Sequence, residues 1–148
     1  KLLLEGGIFT QHEINRKIPL MYTLNIMSTI HNGFFKRNEA SLTLLEDYKE
    51  DYSYKDEIVS ILDRSALTIS KMRLAKGSMW RNKASFFSLI VAIARNGGQV
   101  GDTDRIRERL MEFEKNIPAD YALVAKEAVN DKASRELRDR YVRNLIAE

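Results

Sequence analysis

Residues 83–96 contain Phe86, Phe87, Leu89, Ile90, Val91 and Ile93, preceded by Asn82 and followed by Gly97-Gly98. At about 100° per residue these apolar side chains go all the way round a helix, so no face is left for water. Such a helix must be covered on most sides. The apolar run 86–94 is about half of the ~20 residues that a membrane span needs. Its place is therefore the centre of a bundle, and the rest of the chain has to supply the helices that wrap it.

The rest of the chain is suited to that task. Gly is 7 and Pro is 2 in 148 residues, so helix breakers are scarce. No run of strand alternation and no internal repeat interrupts the helical spacing. Thr10-Gln11-His12-Glu13 is a capping box that starts a first helix, with Asn32-Gly33 as its stop. Pro19 either kinks this helix or opens a second one at its first turn. A helix is expected over 38–52, with Leu44, Leu45, Tyr48 and Tyr52 on one face. Another, capped by Ser53, carries Ile58, Ile61, Leu62, Ile69 and Met72. After the central helix, one capped near Asp102 or Thr103 repeats Ile106, Leu110, Phe113 and Ile117, with Arg105–Glu108 and Arg109–Glu112 on its charged face. Pro118 opens a helix to about 129, and a last one covers 133–147. The expected fold is all-α: a single orthogonal bundle of about six to seven helices.

The chain opens Lys1-Leu2-Leu3-Leu4-Glu5-Gly6-Gly7, which reads as the tail of an element. Residues 1–148 are thus expected to be one helical domain forming the C-terminal part of a longer protein. The absence of Cys excludes a disulfide framework, a Cys-ligated metal and thiol catalysis. It fits a reducing compartment, and the cytoplasm is the expected location. The net charge of +3 permits contact with nucleic acid without arguing for it.

Catalytic patterns are missing. His12 and His31 are the only histidines and have no acidic partner at metal spacing. No Ser stands in a Gly-x-Ser-x-Gly turn. Gly97-Gly98-Gln99-Val100-Gly101 follows a helix rather than a strand and lacks the Lys-Ser/Thr ending of a phosphate loop, so it reads as a turn. Glu46, Asp47, Glu50 and Asp51 read as a solvated acidic face. No catalytic residue, metal site or cofactor is expected within this chain.

Two features stand out. Arg73, Lys76, Trp80, Arg81 and Lys83, with Lys71, form a basic stretch around the only Trp. Cations of this kind suit backbone phosphates, and an indole can stack on an unpaired base. The alternative is that Trp80 packs at the start of the central helix while the cations are solvated. The second feature is Arg138. It falls between Tyr141 and Val142 in angle, inside the apolar face of the last helix. A charge there is costly unless paired. It is expected to pair with a buried acid, or else to point its guanidinium at a phosphate or a neighbouring domain.

The stretch Met79-Trp80-Arg81-Asn82-Lys83-Ala84-Ser85-Phe86-Phe87-Ser88-Leu89 resembles the W-x-R-x-x-x-F-F-S-L segment that follows the catalytic half of GmrSD-type proteins. Tyr121, followed by Asn130-Asp131-Lys132-Ala133-Ser134-Arg135-Glu136-Leu137-Arg138, is similar to that family's closing pattern. Phe9-Thr10 with Glu13 and Arg16 resembles its Phe-x-x-x-Glu-x-x-x-Arg helix start. The resemblance implies an upstream ParB-like domain with an Asp-Gly-Gln-Gln-Arg signature, nucleotide hydrolysis there, and restriction of modified phage DNA, often through a His-Asn-His nuclease. This chain has no Asp-Gly-Gln-Gln-Arg string, and no second His follows His31-Asn32. The implied role is a non-catalytic helical portion of a bacterial defence protein. It would pack on the ParB-like domain and help position DNA, while any endonuclease activity would belong to the parent. A stand-alone helical scaffold for protein partners is the alternative.

Overall fold

The computed structural model describes residues 6–147, and among them every regular element is helical. Eight α-helices occur rather than six or seven: α1 (Gln11–Asn15), α2 (Ile18–Asn32), α3 (Glu39–Asp47), α4 (Lys55–Lys71), α5 (Lys83–Arg95), α6 (Thr103–Lys115), α7 (Ala119–Val124) and α8 (Lys132–Ile146). A short 3-10 turn, Met79–Arg81, precedes α5. The leucine run at 2–4 lies outside the described residues. None of the described helices is long and apolar enough to cross a membrane.

The apolar belt of α5 dictates the architecture. Every residue from Ser85 through Ala94 is buried. Helices α2, α4 and α8 and the 3-10 turn all pack against it, and α6 and α7 join through α8. Small residues let those neighbours come close: Ser85, Ser88, Ala92 and Ala94 alternate with the large ones. The helix ends in a Schellman-like turn, with Gly97 N–H donating to Ala94 and Gly98 N–H to Ile93. Glycine is required at position 98 twice over. Its φ is +83°, and a Cβ there would stand 2.8 Å from the Ile61 carbonyl oxygen. The Gly-rich stretch is thus a helix-to-helix turn against α4. Arg64 Nε donates to the Gly97 carbonyl at 3.0 Å and Thr68 Oγ1 to the Gly98 carbonyl at 2.8 Å.

Several local expectations hold. Thr10 and Glu13 form the reciprocal capping box. Asp102 caps α6 by accepting from the Asp104 and Arg105 amides. Pro19 sits in the first turn of a separate helix, because Lys17 turns into the left-handed region (φ 57°) and breaks the chain there.

Others do not. The helix expected over 38–52 stops at Asp47, and Leu45 is exposed. Its contact with α2 is polar instead: Ser41 Oγ donates to Asn25 Oδ1 at 2.7 Å, and Asn25 Nδ2 donates to Asn38 Oδ1 at 2.9 Å. Ser53 does not cap α4, whose flanking residue is Tyr54 without a side-chain cap. Ile117 lies beyond α6 and is exposed. On α6 the ion pairs are Arg107–Asp104 and Lys115–Glu112. Arg109 reaches across to the Leu145 carbonyl, because backbone acceptors at the end of α8 lie within its span.

Candidate anion-binding site

The basic stretch divides by burial. Lys71, Arg73 and Lys76 are exposed at the corner between α4 and the 3-10 turn. Among the described residues none of these three is in an ion pair. Arg81 is turned inward: Nη1 donates to the Leu74 carbonyl at 3.3 Å, and Nη2 donates to the Gly6 carbonyl. Lys83 is bound to Glu13, and this contact first, with the Thr10 amide second, holds the Glu13 carboxyl down to about 2.

Trp80 is fully buried, and its Nε1 donates to the Leu110 carbonyl at 2.9 Å. Its ring leans on Phe113 at a centroid distance of 5.6 Å. With neither ring face in solvent, stacking on a base is closed to it, and packing is its role. Ser78 Oγ accepts from the Trp80 amide, while Glu114 accepts from Ser78 Oγ at 2.9 Å and from the Met79 amide at 2.6 Å.

Arg138 is buried as its helix angle requires, but no acid meets it among the described residues. Nη1 donates to the Val124 carbonyl at 2.5 Å, Nη2 to the Val129 carbonyl at 2.8 Å and Nε to Ser88 Oγ at 3.4 Å. The expected ion pair is replaced by backbone carbonyls at the end of α7 and in the loop after it. These are partly negative groups that carry no full charge.

One turn earlier on the same helix stands Arg135, which spacing alone did not single out. It is 2% exposed. It donates to the carbonyls of Phe35 (3.0 Å) and Arg37 (3.1 Å), and its guanidinium lies 4.9 Å from the ring centroids of both Phe35 and Phe87. Burial first, and then Arg138, lower its pKa to about 10, which leaves it protonated at neutral pH. Burial likewise lowers Arg138. The available signal was the i, i+3 spacing of the two arginines in Ser134-Arg135-Glu136-Leu137-Arg138, which puts them side by side.

Both arginines line a cavity of about 370 Å³ between α2, α8 and the start of α5. Asn25, Asn38, Lys83 and Asn130 are its other polar lining residues apart from Tyr22, and no carboxylate lines it. Phe9, Tyr22 and Phe87 form its aromatic border, Tyr22 meeting Phe9 edge-to-face at 5.1 Å and Phe87 at 5.8 Å. Tyr22 is fixed by donating its hydroxyl to the Lys83 carbonyl at 2.6 Å. Burial raises its pKa well above the usual phenol range, although both arginines pull the other way.

The one buried carboxylate of α8 points elsewhere. Asp139 Oδ2 accepts from Arg143 Nε at 2.8 Å, while Oδ1 has no hydrogen-bond partner among the described residues. Burial raises its pKa above the ordinary 3.8 and Glu136 adds to this, against the pull of Arg143 and Arg95. A carboxyl whose folded pKa is raised holds its proton longer in the folded state. Stability at this group is therefore lost as pH rises from about 3.8 through the folded value, and regained on acidification. Asp139→Asn should flatten that part of the stability–pH profile, read as urea midpoints between pH 3.8 and neutral. Parallel profiles for the two proteins would show that the burial carries no such penalty.

Among the described residues no group of three His, Asp or Glu stands close enough to hold a metal ion. Glu46, Asp47, Glu50 and Asp51 are all exposed. His31 packs against Tyr48, Tyr52 and Tyr54 at the end of α2, and His12 is exposed on α1. No family model matches the chain, and neither a curated protein nor a solved structure matches it.

Proposed function

We propose that this chain is the non-catalytic helical portion of a GmrSD-like, DNA-targeting defence protein of the bacterial cytoplasm. In this reading it packs on an upstream ParB-like domain and helps position DNA by its phosphates. The observation that carries the reading is the corner that presents Lys71, Arg73 and Lys76 to solvent without an ion-pair partner among the described residues. Arg73 is held there at φ 50°, an uncommon conformation for a side chain of this size. Cations that carry no protein partner are open to a phosphate backbone, and such contacts carry no sequence preference.

The test is fluorescence anisotropy with labelled duplex at several salt concentrations. Each phosphate neutralised contributes about −0.9 to the slope of log K against log salt. Replacing Lys71, Arg73 and Lys76 together by Ala should shallow that slope by up to about 2.7 and weaken all sequences alike. Arg81→Ala should instead act on stability, because its guanidinium is spent on backbone carbonyls. An unchanged slope in the triple variant, or no binding even at low salt, would remove the corner from the interface. The reading would then pass to a protein-interaction scaffold, for which Ile18 and Leu20 on α2 and Leu42 and Leu45 on α3 supply exposed apolar side chains.

A further inference from the structure

We propose that the cavity between α2, α8 and the start of α5 binds a phosphomonoester carried on a planar group, a nucleoside monophosphate unit. Arg135 and Arg138 hold the phosphate, and Phe9, Tyr22 and Phe87 border the planar part. The site is separate from the surface corner, since none of Lys71, Arg73 and Lys76 lines it.

Charge is the first reason. Two guanidiniums 1–2% exposed stand side by side, and no described carboxylate pairs with either. Taking one such ion out of water costs several kcal/mol, and neutral carbonyls return only part of it. A guanidinium has five N–H donors. Arg135 spends two of them on the Phe35 and Arg37 carbonyls, and Arg138 spends three on Val124, Val129 and Ser88. Donors remain on both. A dianionic phosphate would supply the missing countercharge and accept those donors in the paired geometry that guanidinium favours.

Shape is the second. At about 370 Å³ the cavity falls at the small end of the ~300–1,000 Å³ range of ligand pockets. Its border is aromatic and apolar, Asn25 and Asn38 are joined to each other in its wall, and Lys83, paired with Glu13, stands exposed beside it. Arg135 is already oriented by its two aromatic neighbours and two carbonyls, so little freedom is lost on binding. The phosphates of an intact duplex backbone are diesters with one negative charge, whereas a strand-terminal phosphate and a free nucleotide carry the dianionic monoester. Those are the two sources of the same chemistry.

The test is thermal melting of the 148-residue chain with adenosine 5′-monophosphate, inorganic phosphate or adenosine. At about 100 times its Kd the nucleotide should raise Tm by about 5–10 °C. Inorganic phosphate should do less, and adenosine should do nothing. Ala84→Met fills the cavity mouth and leaves both arginines in place; with it the rise should vanish. Arg135→Met should lose the rise too, and if that variant does not fold, Ala84→Met still carries the comparison. A 5′-phosphorylated oligonucleotide binding tighter than both the nucleotide and its 5′-hydroxyl counterpart assigns the ligand to a strand end. Tighter binding of the nucleotide assigns it to a free nucleotide. The proposal is overturned if the nucleotide raises Tm no more than sodium chloride at equal ionic strength. It is equally overturned if adenosine matches the nucleotide, or if Ala84→Met keeps the full rise.

Discussion

Trp80→Ala should destabilise the chain by about 3–5 kcal/mol, the range for truncating a large buried aromatic residue. The indole has no exposed surface and joins three elements. It starts in the 3-10 turn, donates to a carbonyl of α6, and lies beside Phe113 on α6 and Tyr121 on α7 at centroid distances of 5.6 and 6.3 Å. Its removal leaves a void where three helices meet, in a region whose neighbours cannot collapse without moving α5. Trp80→Phe keeps most ring contacts and loses one donor, so it should cost about 1–2 kcal/mol. Urea titration followed by circular dichroism reads both. A loss under about 1 kcal/mol for Trp80→Ala would mean that the indole is not part of the core. Neither variant should alter the salt slope of duplex binding, because the ring has no path to a base.

Arg138→Met should cost about 2–4 kcal/mol, since the Val124 and Val129 carbonyls each lose a donor at about 1–3 kcal/mol apiece. Removing a desolvated charge offsets part of this, which keeps the net below the simple sum. The loss should be local as well as global. Hydrogen exchange in residues 124–131 should speed up most, because the Arg138 side chain ties both Val124 and Val129 to α8. A variant as stable as the parent, with unchanged exchange in the loop, would show that the guanidinium supports nothing there. Its retention would then rest on a ligand alone. Both measurements are independent of nucleotide addition, so structural and binding roles of the same side chain separate.

What could be read from spacing was what depends on neighbours in sequence. The capping box at Thr10 and Glu13, the cap at Asp102 and the turn at Gly97-Gly98 involve groups two to five residues apart. Their physics is complete within one turn of helix. The all-round apolar pattern of 83–96 also needed no partner to be understood: with no polar face, it had to be central. The same pattern reading failed where two faces of equal quality competed. In α3, Leu45 looked as good as Leu44, yet Ser41 and Leu44 turn inward because Asn25 and Ser28 of α2 present polar atoms that only hydroxyls and amides satisfy. Trp80 was legible as either a packing or a stacking residue, and its burial decided between them.

The sequence by itself determined the all-α class, the identity of the central helix and the turn at Gly97-Gly98, because helical period and capping are local properties. Only the tertiary structure decided which cations are free and which are spent. Arg81, Lys83, Arg135 and Arg138 each find at least one partner nine or more residues away, and Arg135 reaches across a hundred to Phe35. A guanidinium's charge can be read from sequence, but its worth depends on whether a carboxylate, a carbonyl or an open cavity stands before it. That is settled by how helices dock, and docking is a property of the whole chain.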